Sequence, residues 1–140
     1  MPAAEEIRGG LSENRELLRA AIADAEARWE QSPAPEAEGE ESWSPRQVAE
    51  HVIGAERFFA SRTAQTLERE GPETGELSLA SAADALAALS EVSETADAVY
   101  ATLSDADLEK DTGRGPLSGL LEIAVGHLAN HAEQIRAASS

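Results

Sequence analysis

Apolar residues recur at steps of three and four along four separate stretches of this chain. No stretch alternates in the way a half-buried strand does. The first series is Ile7, Leu11, Leu18, Ile22, Ala25 and Trp29, and the second is Val48, His51, Val52, Ala55, Phe58, Phe59 and Arg62. A third runs Leu79, Ala82, Leu86, Leu89, Val92, Ala96, Val99, Tyr100, Leu103. The last runs Leu117, Leu120, Ala124, His127, His131, Gln134, Ala138, flanked by Leu121, Leu128 and Ile135. An α-helix with one apolar stripe must bury it, and four such helices satisfy one another as a bundle. The expected fold is therefore all-α, a four-helix bundle with helices near 5–30, 44–70, 79–103 and 117–138.

Punctuation between the stripes agrees with this reading. Residues 31–42 hold two prolines, a glycine and a run of acids, and read as an exposed loop. Trp43-Ser44-Pro45-Arg46-Gln47 is a helix start: Ser44 can cap, Pro45 suits the first turn and Gln47 completes a capping box. Trp43 can act as a staple against Val48 or cover one end of a pocket. Gly71-Pro72 is expected to stop the second helix, and residues 104–116 to interrupt the third and fourth, with one helical turn around Leu108. Asn14 falls on the first stripe, where a buried amide needs partners.

At 140 residues, one domain over 1–140 is expected. Its 11 basic residues against 27 acidic ones give a net charge of −16, which repels phosphate backbones and anionic lipid. No nucleic-acid or membrane-surface role is expected. Without cysteine there is no disulfide, no thiolate ligand and no protein thiol nucleophile, so any thiol chemistry must use an external thiol. No apolar run approaches the ~20 residues of a membrane span, and residues 1–6 lack a basic-then-apolar leader. A cytoplasmic location is the default expectation.

The chemistry concentrates in three histidines. His127 and His131 stand four residues apart, so both imidazoles leave one helix face a turn apart. His51 lies on a second helix, and together the three make a candidate metal site. Three neutral imidazoles suit zinc, and also nickel or iron, and leave a coordination position open for water or substrate. The competing reading is a set of satisfied core histidines, since the pair also arises by chance on helices and spacing alone does not bring His51 to it. Gln134 and Asn130, each three residues after a histidine, and Trp43 are candidates for orienting ligands or substrate. Phe58 and Phe59 are pocket-wall candidates that also suit the core. Glu50 and Glu133 sit about 100° off the stripes and read as solvated charges. Gly54 and Gly126 occupy helix interiors at about 1 kcal/mol each relative to Ala, offset by room for a ligand, by close helix approach, or by neither.

Trp43-Ser44-Pro45 followed by His51, then His127-x-x-x-His131-x-x-Gln134-Ile135, resembles the DinB/YfiT-like superfamily. The connection 103–108 and the opening Gly115-Pro116-Leu117-Ser118 are similar to that family too. The resemblance implies a four-helix bundle, often a homodimer, holding a divalent metal, zinc or nickel first, on His51, His127 and His131. It also implies a metal-dependent transferase or isomerase that activates a low-molecular-weight thiol for attack on a small electrophile. The alternative is a non-catalytic metal-binding or stress-response bundle acting as an interaction protein. Many relatives have Arg-Gly where this chain has Ala132-Glu133, so whatever that arginine does is not carried over.

Overall fold

A computed structural model of the chain describes residues 3–139. Met1 and Pro2, within the 1–6 segment read as lacking a leader, and Ser140 lie outside them. The described residues form four long helices: α1 (Ala4–Asp24), α2 (Pro45–Thr66), α3 (Ala82–Tyr100) and α4 (Leu117–Ser139). Short 3-10 turns occupy Glu26–Arg28, Gly39–Ser42 and Ala106–Glu109. Among these residues the only extended pairing is an isolated bridge between Asp111 and Pro116. Both α1 and α2 pack on α3 and α4, so α1 and α2 occupy opposite corners of a four-helix bundle. One cluster of buried side chains fills its centre, including Leu18, Ile22, Ile53, Leu89, Leu128 and Ile135.

The first helix is shorter than its apolar spacing suggests. Regular α-helix ends at Asp24, and the 3-10 turn that follows keeps Ala25 and Trp29 pointing inward, which is why the spacing continues past the helix. Trp29 then ties three segments together: its indole N–H donates to the Leu79 carbonyl at 2.8 Å, and its own carbonyl accepts from the Arg46 amide at 2.8 Å.

The second helix starts where the sequence indicates. Ser44 Oγ accepts from the Gln47 amide and Gln47 Oε1 accepts from the Ser44 amide, a reciprocal capping box behind Pro45. Its end comes before the glycine and proline. Arg69 N donates to Ala64 O at 2.8 Å, with Glu68 in the left-handed region at φ 57°, closing the helix in a Schellman turn. Gly71 instead permits a close return of the chain. A Cβ there would lie 2.5 Å from the Ala64 Cβ, so the chain folds back on α2 only with glycine.

Two stripes are rotated from their expected positions, and in the same sense. On α2 the buried face is Val48, Ala49, Val52, Ile53, Glu56, Phe59, Ala60 and Thr63, leaving His51 and Phe58 exposed. On α4 it centres on Leu121, Leu128 and Ile135, with Leu117, Ala124, His131 and Ala138 of the expected stripe still buried beside them and His127 half-buried at the edge. Both helices face two neighbours, so each buries a wider arc than a single line of residues, and the line through the histidines is the rim of that arc.

The buried arc also takes in charge. Arg15 of α1 reaches across the bundle, Nε donating to Glu56 Oε2 of α2 at 3.0 Å and Nη1 to Asp97 Oδ1 of α3. Arg15 and Glu56 are 4% and 1% exposed, so this is a desolvated ion pair in the middle of the core. Burial pushes the Glu56 carboxyl above its usual range, opposed by Arg15. Burial pulls Arg15 down, but Glu56 and Asp97 outweigh it and the guanidinium ends above its ordinary value. Asn14 is half-buried and donates to the Val125 carbonyl at 2.8 Å. Beside it α1 and α4 approach closely: a Cβ on Gly10 would sit 3.0 Å from Val125 Cγ1. Gly54 and Gly126 are not such positions, since an added Cβ meets nothing within 4 Å at either.

Candidate metal centre

The α2–α4 seam brings all three histidines to one point. His51 Nε2 lies 3.2 Å from His127 Nε2, which lies 3.0 Å from His131 Nε2. One nitrogen from each ring falls within 4.8 Å of the others. Nitrogens at about 2.0–2.1 Å from a tetrahedral ion are separated by about 3.3 Å, so the two separations at His127 are close to a ligand set's edge length. The rings meet edge to face, with centroids 4.2–5.0 Å apart.

Gln134 determines which nitrogen of His131 is bare. Its side-chain Nε2 donates to the Glu40 carbonyl at 2.9 Å, and a carbonyl can only accept. The amide oxygen therefore faces His131, where Nδ1 lies 2.7 Å away and must be the donor. In the neutral ring this leaves the Nε2 lone pair directed at the cluster. His127 Nε2 touches the nitrogens of both other rings and carries at most one hydrogen, whereas a cation at the centre takes all three lone pairs together. The three donors are uniform imidazoles, as borderline-soft divalent ions prefer, and the set contains no carboxylate. The residues present fit such an ion.

Burial and neighbouring rings favour the neutral form of His51 and His127. Burial, then the nearby His131 and His51, push His127 down to about 4. His51 is lowered by burial and by His131, with Glu40 acting in the opposite direction. Imidazole must be unprotonated to ligate, so this depression prepares the site.

The other candidates divide. Trp43 is half-buried with its ring centroid 5.3 Å from that of His51, packed against one ring of the cluster. Phe59 is buried and stands 5.8 Å from the His127 ring, serving both core and wall. Phe58 is 48% exposed, contrary to a core role. Asn130 is exposed, and its side chain makes no hydrogen bond among the described residues. It stands about 60° round α4 from His127 and nearly opposite the buried face of the helix. Glu133 is exposed as well, and Glu50 is structural: its Oε2 accepts from the Leu79 amide and from Arg46 Nε. Sequence reasoning missed Glu40, whose carbonyl orients Gln134 and whose carboxylate comes within 4.0 Å of His131 Nδ1. Its acid-rich loop carried no signal of a role beyond solvation.

A family model described as the DinB superfamily matches residues 11–135. The chain belongs to the DinB superfamily. No curated protein and no solved structure matches it. The matched span takes in Ser44, the three histidines and Gln134, so in this DinB-superfamily chain the histidine cluster lies wholly within the family's frame.

Proposed function

We propose that this protein holds a divalent cation on His51, His127 and His131 and serves as a metal-dependent transferase, joining a low-molecular-weight thiol to a small electrophile. The observation that carries the reading is the convergence of three Nε2 atoms on the solvent-facing rim of the α2–α4 seam, with Gln134 orienting one of them. Three protein ligands leave a coordination position open, and exposed His51 leaves it reachable from solvent. When bound, the ion supplies Lewis acidity, which lowers the pKa of a thiol that reaches it.

The residues around the cluster divide the remaining work. Gln134 holds the His131 ring and its tautomer, and Glu40 holds Gln134. Trp43 stands against one side of the His51 ring and leaves the ring otherwise open to solvent. None of the three ring ligands is a carboxylate, so the thiol proton leaves to solvent. As the sulfur bonds the electrophilic carbon, that carbon's bond to chloride or to the epoxide oxygen breaks, chloride departing to solvent or the epoxide oxygen taking up a proton from solvent. Zinc or nickel suits the donor set best.

The test is consumption of glutathione, mycothiol or bacillithiol with a chlorinated nitrobenzene or an epoxide by the metal-loaded protein. The reading expects acceleration that His127→Ala abolishes. If no thiol is consumed with zinc, nickel or iron loaded, while active relatives turn over in the same assay, the transferase reading fails. A metal-binding bundle without catalysis then stands.

A further inference from the structure

The same α2–α4 seam continues past the histidines into a cleft of about 590 Å³. Phe58, Leu120 and Ile123 supply its apolar walls, while Arg62, Thr112 and Arg114 line its far end. Ile123 is 62% exposed, so with Phe58 it forms an uncovered apolar face on a helical bundle. Phe58 lies two turns along α2 from His51 and Ile123 one turn before His127, both on the histidines' own side of their helices. The rings of His127, Phe59 and Phe58 follow one another at centroid spacings of 5.8 Å. The cleft thus lies on the same seam as the histidine site, one to two helical turns away, with no histidine in its lining.

Its charge is opposite to that of the molecule. In a chain of net charge −16, the cleft walls hold two arginines and no acidic residue. Neither guanidinium is paired with a carboxylate among the described residues. Arg62 spends one N–H on the Thr112 carbonyl at 3.0 Å, which fixes it against the 111–116 turn. That turn is closed by the Thr112 amide donating to Gly115 O and by the Asp111–Pro116 bridge, and it carries Arg114 at its tip. The neighbouring acid, Asp111, accepts from the Gly113 amide and does not line the cleft. The α4 N-terminus opens at the same end, its dipole adding positive potential.

We propose that this cleft binds a small amphiphilic carboxylate, with its anionic group at Arg62 and Arg114 and its apolar body on Phe58, Leu120 and Ile123. The other end of the molecule points along the seam to the histidines. Arg62 is eleven residues beyond His51, about 16 Å by helical rise, and its side chain leans back toward the helix N-terminus. A ligand of about 10 Å spans the interval. That the far end reacts rests on the transferase reading above; the binding of the carboxylate does not. The substrate class that follows is an electrophile or thiol partner bearing a carboxylate one apolar spacer away from its reacting atom.

The experiment titrates the full-length protein, stripped of metal by chelation, with 4-phenylbutyrate, its primary amide and 4-phenylbutylamine, following binding by calorimetry. The carboxylate is expected to bind at least ten-fold more tightly than the amide and the amine. R114Q, which alters an exposed turn tip, and R62Q should each remove most of that difference. Equal affinity for carboxylate and amide, or a preference unchanged in R114Q, overturns the proposal. So does a preference that appears only with metal and vanishes in His127→Ala, because the carboxylate is then ligating the ion. Sedimentation runs alongside: a dimer dissolved by Phe58→Ser and Ile123→Ser, with no ligand bound, would assign the face to a second copy of this chain and overturn it. Loss of thiol turnover alone leaves the metal-free titration intact, so the two readings fail separately.

Discussion

His127 touches both other rings, and this makes it the residue whose loss should matter most. His127→Ala is expected to abolish metal retention through desalting while leaving the far-UV helical signal unchanged, because the side chain is only half-buried. Gln134→Leu should weaken metal affinity about 10–100-fold, the usual cost of losing a hydrogen bond that orients a ligand. Retention should also survive mild acid. With His127 titrating near 4 and His51 below its ordinary 6.5, protons compete at these rings only at pH values more acidic than free histidine would imply. The same shift bears on the metal-free fold. A histidine whose folded pKa lies below its unfolded value leaves the unfolded chain binding more protons between the two. The stability it contributes is therefore present above about 6.5 and lost as pH falls through about 4. Urea midpoints of chelated protein across this range, with His127→Ala as the reference, would show it; a flat profile would contradict it.

At the level of elements, two local devices define where α2 begins and ends, and one long-range ion pair what it packs on. Ser44→Ala removes one half of the capping box and should cost about 1 kcal/mol in chemical denaturation. Glu68 holds a left-handed backbone conformation that strains a residue with a Cβ, so Glu68→Gly should stabilise by up to about 1 kcal/mol. The Arg15–Glu56 pair poses a sharper test. Glu56→Leu alone strands a guanidinium in the core beside only Asp97, whose side chain is 62% exposed, and should cost about 3–5 kcal/mol. Arg15→Met with Glu56→Leu removes both charges, and most of that loss should disappear. If the double variant is as unstable as the single, the ion pair stabilises the bundle more than well-packed apolar side chains would.

For the molecule as a whole, 27 acidic against 11 basic residues predict no mobility shift of duplex DNA at physiological salt; a salt-sensitive shift would refute this. Among the described residues, no helix is long and apolar enough to cross a membrane. Spacing alone determined the helical class, the four helices and their approximate bounds, because period and capping are local properties of the backbone and its neighbouring side chains. The Ser44–Gln47 box and the His127–His131 pair were legible for the same reason: both lie within one helical turn. What spacing could not supply was the phase of each helix against two neighbours. Stripes drawn through the histidines of α2 and α4 put those rings in the core, whereas packing on two sides rotated each buried arc toward Ile53 and Leu128, leaving His51 exposed and His127 half-buried while His131 stays buried. Arg15 and Glu56 were hidden because each reads as a surface charge until the other, 41 residues away, is placed beside it. Only the tertiary fold could bring Glu40 to Gln134, His51 to His127, and Arg62 to the Arg114 turn, since each joins segments whose separation along the chain says nothing of their distance in space.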